Sequence, residues 1–488
     1  MSARVIPRIL ISSPASASGK TTVTCALLRL LADAAAVKCG PDFIDPLFHR
    51  QVSGRPTGNV DLFFTPPAQA RALFARAVRG ADIAVCEGAM GFYDGIAGTE
   101  EASAYEVARA LSCPVILVAD AKGKSRSLCA EIGGFASFRE RDGDRSGIRG
   151  VVLNRCSAAQ YERLAPAVER ECGVRALGFL EQDDACSLPS RHLGLVTPDA
   201  VSGLREKLDA LAHSARQTLD IAAITRIARS APPLDCGDDL IQHAADETER
   251  LARARVRIAI AQDEAFCFYY RESLDLLAAF GAEPVPFSPL RDRAIPPDCH
   301  ALYLGGGYPE LFPVPLAENT AMLDSLRAFC RSGAPVLAEC GGFLYLKLAG
   351  VLAGTFENQG RLVRFGYVTL TANEDTLLCR KGDTIRAHEF HYFDTTHNGG
   401  AFTARRADGT AWQCIESTAP VAQMRPACCT ARTANIVAGF PHLSFASNPA
   451  FARRFVQAAR DFAARGQTGC AGCGGCHADR PCGGCGGC

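Results

Sequence analysis

The sequence predicts an α/β protein of two doubly wound domains, followed by a short Gly/Cys-rich tail. Two observations lead to this fold class. Short apolar runs alternate with amphipathic helical patterns from residue 9 onward, as in βαβ units that form parallel sheets. The alternation stops near the middle of the 488-residue chain and then begins again. A chain of this length is also long enough to form two hydrophobic cores.

The first domain is expected over residues 1–225. Residues 9–12 predict a strand, and residues 21–36 predict the helix that follows it. Later apolar runs predict the strands 82–86, 115–119, 150–153 and 176–179. The order of these elements is typical of a parallel sheet covered by helices on both faces.

A linker is expected over residues 226–254, where a helical and polar stretch is broken by two prolines. The α/β rhythm restarts after it and predicts a second domain over residues 255–465. Its predicted elements are the strands 256–261, 301–304 and 335–339 and the helix 269–280. Residues 466–488 contain no core-forming pattern, so a flexible tail is expected there.

Composition excludes several classes of function. Lys+Arg and Asp+Glu both number 52, so the chain lacks the basic excess of a nucleic-acid-binding protein. Its apolar runs are shorter than the roughly 18 residues that span a bilayer, and residues 1–8 do not resemble a signal peptide. We therefore expect a cytoplasmic protein without nucleic-acid or membrane partners. A homodimer is a further expectation.

A phosphate-binding loop is predicted at residues 13–22, SPASASGKTT, between the first strand and the first helix. In such loops backbone N–H groups and the helix N-terminus surround phosphates, the lysine reaches the β- and γ-phosphates, and the hydroxyl after it holds Mg²⁺. Pro14 stands in the position of the usual first glycine. The residues expected to bind ATP are Ser18, Gly19, Lys20, Thr21 and Thr22.

Two acidic clusters follow, in the segments GPDFIDP and CEGAMGFYDG. Isolated acids of this kind serve as turn residues and helix caps. Two Gly-flanked clusters beside a phosphate-binding loop instead favour a metal–nucleotide site, because Mg²⁺ prefers carboxylate and phosphate oxygens. We expect Asp42, Asp45 and Asp94 to take part in substrate activation. The expected Mg²⁺ ligands are Thr21, Asp45 and Glu87.

The segment PVLAECGGFLY, residues 335–345, predicts a nucleophile elbow. A strand ends at Cys340 and a helix begins at two glycines, which would expose the thiol and favour the thiolate. The loop LGGGYPE follows an earlier strand and, by itself, is equally typical of a Gly-rich turn. Beside Cys340, the backbone N–H groups of Gly306, Gly307 and Gly341 are candidates for an oxyanion hole.

A thiol nucleophile needs a base, and His442, late in the second domain, is the best candidate among the ten histidines. Together, Cys340 and His442 resemble the catalytic pair of class I glutamine amidotransferases. That class often continues His-x-Glu, whereas Ser444 occupies the position here. The group that orients His442 is therefore open.

Several motifs together resemble the cobyrinic acid a,c-diamide synthase family, whose ATP-binding half is related to dethiobiotin synthetase within the P-loop fold. They are the phosphate-binding loop and the segments GPDFIDPLFH, GNVDLFF, CEGAMGFYDG, VVLNR, RHLGL and HEFHYFD. Ala17 stands where this family is expected to have glycine. The spacing of His388, Glu389 and His391 in HEFHYFD is metal-like, but the resemblance favours a structural or interdomain role.

The resemblance implies an enzyme that uses ATP, Mg²⁺ and L-glutamine on a tetrapyrrole. ATP would phosphorylate a carboxylate, and ammonia from glutamine would attack the acyl phosphate at the a- and c-acetates of cobyrinate. The same chemistry on siroheme or nickel-sirohydrochlorin is an alternative, and cobyrate synthase is less favoured because of HEFHYFD. A P-loop metallochaperone or regulatory ATPase is a different alternative, but it would have no use for Cys340 with His442.

The tail contains two similar cysteine triplets, the first of which ends in His477. Thiolates on a Gly-rich segment are ligands for soft metals or an iron–sulfur cluster. The alternative is an extension without function, since composition alone shows no folded site. The candidate ligands are Cys470, Cys473, Cys476, Cys482, Cys485 and Cys488.

Overall fold

A computed structural model describes residues 5–139, 146–183, 190–191, 194–195, 198, 201–418 and 434–467. These residues form two α/β units, each built on a mainly parallel sheet, which confirms the predicted fold class. The six tail cysteines lie outside the described residues. Most of the described cysteines are buried and all are free, as expected of small apolar side chains.

The first unit contains a seven-stranded parallel sheet in the order β3-β2-β4-β1-β5-β6-β7. Its strands are β1 (Arg8–Ser12), β2 (Ala34–Cys39), β3 (Gly58–Val60), β4 (Ile83–Glu87), β5 (Val115–Asp120), β6 (Ile148–Asn154) and β7 (Arg175–Leu180). The central strands are buried on both faces, which explains their continuous apolar sequences. Because β1 lies beside β4, the loops that follow them meet at one edge of the sheet.

Helices cover both faces of this sheet. They are α1 (Lys20–Leu30), α2 (Ile44–Ser53), α3 (Pro67–Ala77), α4 (Ala104–Ala110), α5 (Ser127–Ser137), α6 (Ala158–Cys172) and α7 (Leu204–Thr218). Two short strands, β8 (Ser190–Arg191) and β9 (Gly194–Leu195), pair antiparallel.

The predicted helix over residues 21–36 is wrong in its last part. The helix ends at Leu30, Asp33 adopts a φ of 47°, and the chain then enters β2. All six residues of β2 are buried. A strand that is buried on both faces shows no alternation of polar and apolar residues. The sequence pattern therefore predicts the alanines at the start of β2 as a continuation of the helix.

The second unit contains a six-stranded sheet in the order β11-β10-β12-β13-β21-β20, parallel except at the β20 edge. Its strands are β10 (Val256–Ala261), β11 (Ala282–Phe287), β12 (Ala301–Leu304), β13 (Val336–Glu339), β20 (Glu416–Thr418) and β21 (Ile436–Gly439). Its helices are α10 (Arg271–Ala279), α11 (Pro313–Glu318), α12 (Thr320–Arg331), α13 (Gly341–Leu348) and α14 (Pro449–Gln467).

A five-stranded antiparallel sheet, which the sequence patterns did not predict, adjoins this unit in the order β19-β18-β15-β16-β22. Its strands are β15 (Arg364–Ala372), β16 (Thr384–His391), β18 (Phe402–Arg405), β19 (Ala411–Cys414) and β22 (His442–Leu443). A separate pair is formed by β14 (Phe356–Asn358) and β17 (Phe393–Thr395). The pairing of β16 with β22 aligns His388 with His442.

The segment between the units is ordered and packs on both. It contains α8 (Ile221–Arg229) and α9 (Leu240–Arg250), and α9 packs against α10. Arg8 donates from Nη2 to the carbonyl oxygen of Pro232 at 2.8 Å. Pro232 is one of the two prolines in the predicted linker, so this bond attaches the linker to the first unit. The exact domain boundaries stay a prediction. No helix within the described residues is long and apolar enough to cross a membrane.

Candidate active site

The loop between β1 and α1 is closed by an asparagine from β6. Gly19 has a φ of 96°, and a Cβ added there would lie 2.0 Å from Nδ2 of Asn154. That amide donates to the carbonyl oxygen of Ser18 at 2.9 Å. Glycine is required at position 19 because both the left-handed backbone and the close approach exclude a side chain. Ala17 also adopts a left-handed φ, 61°, at the position where the family is expected to have glycine.

Lys20 directs its ammonium group into this loop. Its Nζ donates to Oγ of Ser13 at 2.9 Å and to the carbonyl oxygen of Met90 at 2.6 Å. Burial, followed by the nearby charge of Lys38, lowers the pKa of Lys20 to about 8. A bound phosphate would raise this pKa again, because an opposite charge favours the protonated form. Thr21 and Thr22 lie in the first turn of α1, at the mouth of the same loop.

A buried lysine lies at the centre of the acid cluster, although the sequence patterns did not indicate it. Nζ of Lys38, in β2, is 2.5 Å from Oδ2 of Asp45 and 3.1 Å from Oε1 of Glu87. The other oxygen of Glu87 lies 2.7 Å from Nε2 of His49. The hydroxyl of Thr21 donates to Oε1 of Glu87 at 2.7 Å. The phosphate-binding loop and the acid cluster are therefore one connected site.

Charge holds this cluster together despite its burial. Burial acts to lower the pKa of Lys38, but the carboxylates of Asp45 and Glu87 outweigh it and raise that pKa well above its ordinary value. Burial acts to raise the pKa of Glu87, but Lys38 and His49 hold it well below its ordinary value. For Asp45, burial and then Asp42 raise the pKa well above its ordinary value. Asp45 therefore takes up a proton more readily than Glu87 does.

Asp42 and Asp94 organise the loops that bear them. Oδ1 of Asp42 accepts the N–H of Ile44 at 2.8 Å, and its Oδ2 lies 3.8 Å from Nζ of Lys38. Oδ2 of Asp94 accepts the N–H of Gly91 at 3.0 Å. Asp42 thus reaches the cluster with one oxygen, whereas the contact described for Asp94 is within its own loop.

The predicted Mg²⁺ ligands fit unequally. Thr21 and Glu87 have adjacent oxygens at the phosphate-binding loop. Mg²⁺ that is bound by one carboxylate and by nucleotide phosphates needs protein oxygens at this position. Asp45 contacts Lys38, as Glu87 also does, but it has no described contact with Thr21. The described residues contain no group of three His, Cys, Asp or Glu side chains that could hold a metal. Thr21 and Glu87 are therefore the residues that would hold Mg²⁺.

Cys340 occupies a strained turn between β13 and α13. Its φ is 47° and its ψ is −105°, a conformation that persists only where the surrounding fold enforces it. The next residue must be small, because a Cβ on Gly341 would lie 2.8 Å from Cδ of Pro309. The sharp strand-to-helix turn predicted at Cys340 is present, and the nucleophilic role of its thiol stays a prediction.

The expectation of an exposed thiol in its thiolate form is wrong. Cys340 is buried, and burial, followed by the charge of Glu310, raises the pKa of its thiol. The N–H of Gly341 opposes this effect but does not overcome it. A base must therefore remove the proton before the sulfur can attack.

His442 lies against the glycine-rich loop that follows β12. A Cβ added to Gly306 would lie 2.3 Å from Cε1 of His442, so the imidazole rests on the bare backbone. Burial, followed by the neighbouring His388 and His391, lowers the pKa of His442 to about 3. Burial thus favours the neutral imidazole, the form that a base must have, although it also makes the ring a weaker base.

The same loop lies beside both His442 and the turn that contains Cys340. The backbone nitrogen of Gly307 lies 3.3 Å from the position of a Cβ on Gly341, so the main chains of these residues are adjacent. The carbonyl oxygen of Gly306 accepts the N–H groups of Cys267 at 3.1 Å and Phe268 at 3.0 Å, which fixes the loop. Backbone donors held beside a thiol are what an oxyanion hole requires.

The two sites meet at the ring of Phe43. This ring stacks on Phe268 with centroids 5.2 Å apart, and its centroid is 4.9 Å from that of the His442 imidazole. Asp42 and Asp45 lie on the same short segment as Phe43. This one segment therefore contributes Asp42 and Asp45 to the acid cluster. It also contributes the ring of Phe43, which packs against the candidate base His442.

Comparison with known proteins agrees with this geometry. The family model for the CobQ/CobB/MinD/ParA nucleotide binding domain matches residues 9–196, and the CobB/CobQ-like glutamine amidotransferase domain matches residues 257–450. The cobyrinate a,c-diamide synthase of Salmonella typhimurium is 37% identical over 472 residues, which cover 92% of this chain and 98% of that protein. The chain belongs to the cobyrinate a,c-diamide synthase family.

Two further relatives support the assignment to this family. A cobyrinate a,c-diamide synthase of Dehalococcoides mccartyi is 35% identical over 476 residues, covering 93% of this chain and 99% of the relative. A hydrogenobyrinate a,c-diamide synthase of Thermobifida fusca is 36% identical over 415 residues, covering 81% of this chain and 87% of the relative. Members of this family are glutamine-hydrolysing amide ligases, so the resemblance stated from the motifs is confirmed.

In this member of the cobyrinate a,c-diamide synthase family, two histidines of the HEFHYFD segment make packing contacts within the second unit. His388 faces His442 across the paired strands. The ring of His391 stacks on Phe440 with centroids 3.8 Å apart, and its Nδ1 lies 2.6 Å from the carbonyl oxygen of Phe393. Burial lowers the pKa of both His388 and His391 to about 4, so both are neutral near pH 7. These contacts support the structural role favoured by the resemblance.

Sequence reasoning missed three side chains of these sites. Lys38 and His49 bind the carboxylates of the acid cluster, and Phe43 forms the boundary between the sites. Lys38 offered one signal, since it is a charged residue that interrupts the apolar run AAAVKC just before an acid cluster. Phe43 and His49 lie within the GPDFIDPLFH motif, but the motif does not reveal their contacts because their partners are distant in sequence.

Proposed function

We propose that this chain amidates the a- and c-acetate side chains of cobyrinate in cobalamin biosynthesis, using ATP and L-glutamine. The contact of Phe43 with His442 is the observation that supports the proposal most directly. This contact supports the proposal because Phe43 lies on the same short segment as Asp42 and Asp45. The proposal assigns the reaction to the cytoplasm, where the thiol of Cys340 stays reduced.

Glutamine hydrolysis is assigned to Cys340 and His442. The imidazole takes the thiol proton, the sulfur attacks the carboxamide carbon, and the tetrahedral oxyanion accepts the N–H groups of Gly307 and Gly341. The protonated imidazole then returns the proton to the departing ammonia, which leaves a thioester. Water hydrolyses this thioester to glutamate and restores the thiol.

Carboxylate activation is assigned to the phosphate-binding loop and the acid cluster. An acetate oxygen of the substrate attacks the γ-phosphorus of ATP, and ADP leaves. Lys20 and the N-terminus of α1 stabilise the charge that develops on the phosphates. Mg²⁺, when bound by Thr21 and Glu87, would neutralise the phosphate oxygens. Lys38 is assigned to hold Asp45 and Glu87 in place.

Ammonia then attacks the acyl phosphate, which yields the amide and releases phosphate. The attacking nitrogen must lose a proton, and Asp45 is suited to accept it because its pKa is raised well above its ordinary value. Asp42 reaches the same cluster and is assigned to the same step. The contact of Asp94 lies within its own loop, so its proposed role is to position that loop.

Reciprocal variants test this division of labour. Cys340→Ser should abolish glutamine-dependent amidation and retain amidation driven by ammonium chloride. Lys20→Met should abolish amidation with either nitrogen source and retain glutamine hydrolysis. Cys379→Ser, a buried cysteine of the same domain, is the matched control and should keep both activities. Loss of ammonium-driven amidation in a folded Cys340→Ser protein would contradict the proposal.

The acceptor ring is tested by product mass spectrometry. Cobyrinate and hydrogenobyrinate are offered in parallel with siroheme and nickel-sirohydrochlorin, because the reported relatives include both a cobyrinate and a hydrogenobyrinate enzyme. We expect two amides on one or both of the first pair and none on the second. Amidation of siroheme or nickel-sirohydrochlorin alone would assign the chain to the alternative substrates.

Two further proposals concern the tail and the assembly. We assign a soft-metal or iron–sulfur site to the six tail cysteines, which lie outside the described residues. Metal analysis of the full chain and of a chain ending at residue 467, both purified anaerobically, tests this; equal metal content would refute it. We also propose a homodimer, which light scattering of the eluted protein tests.

A further inference from the structure

The imidazole of His442 has no partner on its own strand. Its Nδ1 is buried and has no hydrogen-bond partner among the described residues. Ser444 stands where the broader amidotransferase class often has glutamate, and its fully buried hydroxyl is also unpaired among the described residues. A catalytic imidazole requires a partner that fixes its tautomer and orientation. That partner must come from another element.

The carboxylate of Glu339 faces this nitrogen. Oε2 of Glu339 lies 3.8 Å from Nδ1 of His442, and both side chains are almost completely buried. Oε1 accepts the N–H of Leu443 at 3.1 Å, and Oε2 accepts the hydroxyl of Tyr303 at 3.0 Å. The first bond attaches the carboxylate to the strand that bears the histidine. The second holds the oxygen that faces the imidazole.

We propose that Glu339 is the positioning carboxylate of the glutaminase site, in place of the glutamate that the broader class has two residues after its histidine. The inference rests on the proposed role of His442 as the base. When the imidazole takes the thiol proton on Nε2, its Nδ1–H donates to Oε2 of Glu339, and the carboxylate stabilises the positive ring. Glu339 exchanges no proton with glutamine, so it acts through His442 alone.

The separation of 3.8 Å is slightly longer than a hydrogen bond. Such bonds are often long in the free enzyme and shorten when the substrate is bound. Burial raises the pKa of Glu339 to about 8, against the opposing effect of its bonds from Leu443 and Tyr303. A positive imidazole beside the carboxylate favours its ionised form.

Glu339→Gln tests the proposal, because it preserves the shape of the side chain and removes its charge. We expect kcat for glutamine hydrolysis to fall about 100-fold with KM changed less than about threefold, since one positioned polar group is worth roughly that much. Glu339→Asp, which keeps the charge, should recover part of the loss. Amidation driven by ammonium chloride should be retained in both variants. Glu416→Gln is the matched control, because that carboxylate pairs with Lys347 at 2.7 Å instead.

Tyr303→Phe is the second variant, for the case in which Glu339→Gln does not fold. It removes the hydroxyl that holds Oε2 and should lower kcat for glutamine hydrolysis about threefold to tenfold. A folded Glu339→Gln protein that hydrolyses glutamine at the wild-type rate overturns the proposal, as does an equal loss in Glu416→Gln. If Cys340→Ser or His442→Ala hydrolyses glutamine normally, the proposed function itself has failed, so the two failures are distinguishable.

Discussion

A single methyl group should disable the glutaminase site while leaving the fold intact. A Cβ at position 306 would lie 2.3 Å from Cε1 of His442, whereas ordinary contacts begin at 3.4 Å. In Gly306→Ala the imidazole must therefore retreat by about 1.1 Å. A misplacement of about 1 Å in a catalytic group lowers a rate roughly 100-fold. The backbone itself is not strained, because the φ of Gly306 is not left-handed.

The assay compares two reactions in the same protein. Glutamate release from glutamine should fall about 100-fold in Gly306→Ala, and ammonium-driven amidation should keep the wild-type rate. Gly134→Ala is the matched control, because no atom lies within 4 Å of its Cβ position. A folded Gly306→Ala protein that hydrolyses glutamine within about threefold of wild type would refute the placement of His442 as the base.

Three other outcomes follow from the structure. Ala17→Gly should stabilise the protein by about 0.5–1 kcal/mol, because a left-handed Ala17 with a φ of 61° is strained, and this is measured by urea unfolding. Lys38→Met should destabilise it by about 3–5 kcal/mol in the same assay, since Asp45 and Glu87 would be buried without their cation. Burial raises the pKa of Glu272 from 4.5 to about 7, so its contribution to stability is present below pH 4.5 and is lost as pH rises through about 7. In Glu272→Gln the melting temperature should therefore fall less between pH 5 and 8 than in wild type, and identical slopes would contradict the burial of an acid there.

The parts of the sites that sequence could predict are local in the chain. The loop that ends in Gly19-Lys20 and the elbow at Cys340 are each encoded in one short segment between a strand and a helix. Gly19 is needed for a left-handed backbone and Gly341 for a close approach to Pro309, and both glycines are visible in the sequence. The structure accordingly contains both features at the predicted residues.

The parts that sequence could not predict depend on the arrangement of distant segments. Glu339 precedes the nucleophile and reads as an ordinary strand residue until β22 brings His442 beside it. The buried Lys38 likewise becomes a candidate site residue only when α2 and β4 bring Asp45 and Glu87 to it. Hydrophobic periodicity does not predict such contacts. It identifies which face of a helix or strand is buried, but not which other segment packs against that face.

The boundary between the two sites also explains why transfer of ammonia inside the protein is chemically reasonable. Ammonia attacks an acyl phosphate only in its neutral form, and water at neutral pH would protonate it. At this boundary Phe43 packs against Phe268 and Tyr270, and burial lowers the pKa of His388 to about 4. None of these groups can donate a proton readily near pH 7. The segment that carries Phe43 also carries Asp42 and Asp45, to which the proposed mechanism assigns the proton of the attacking nitrogen. In that mechanism ammonia would stay neutral until it reaches these acids.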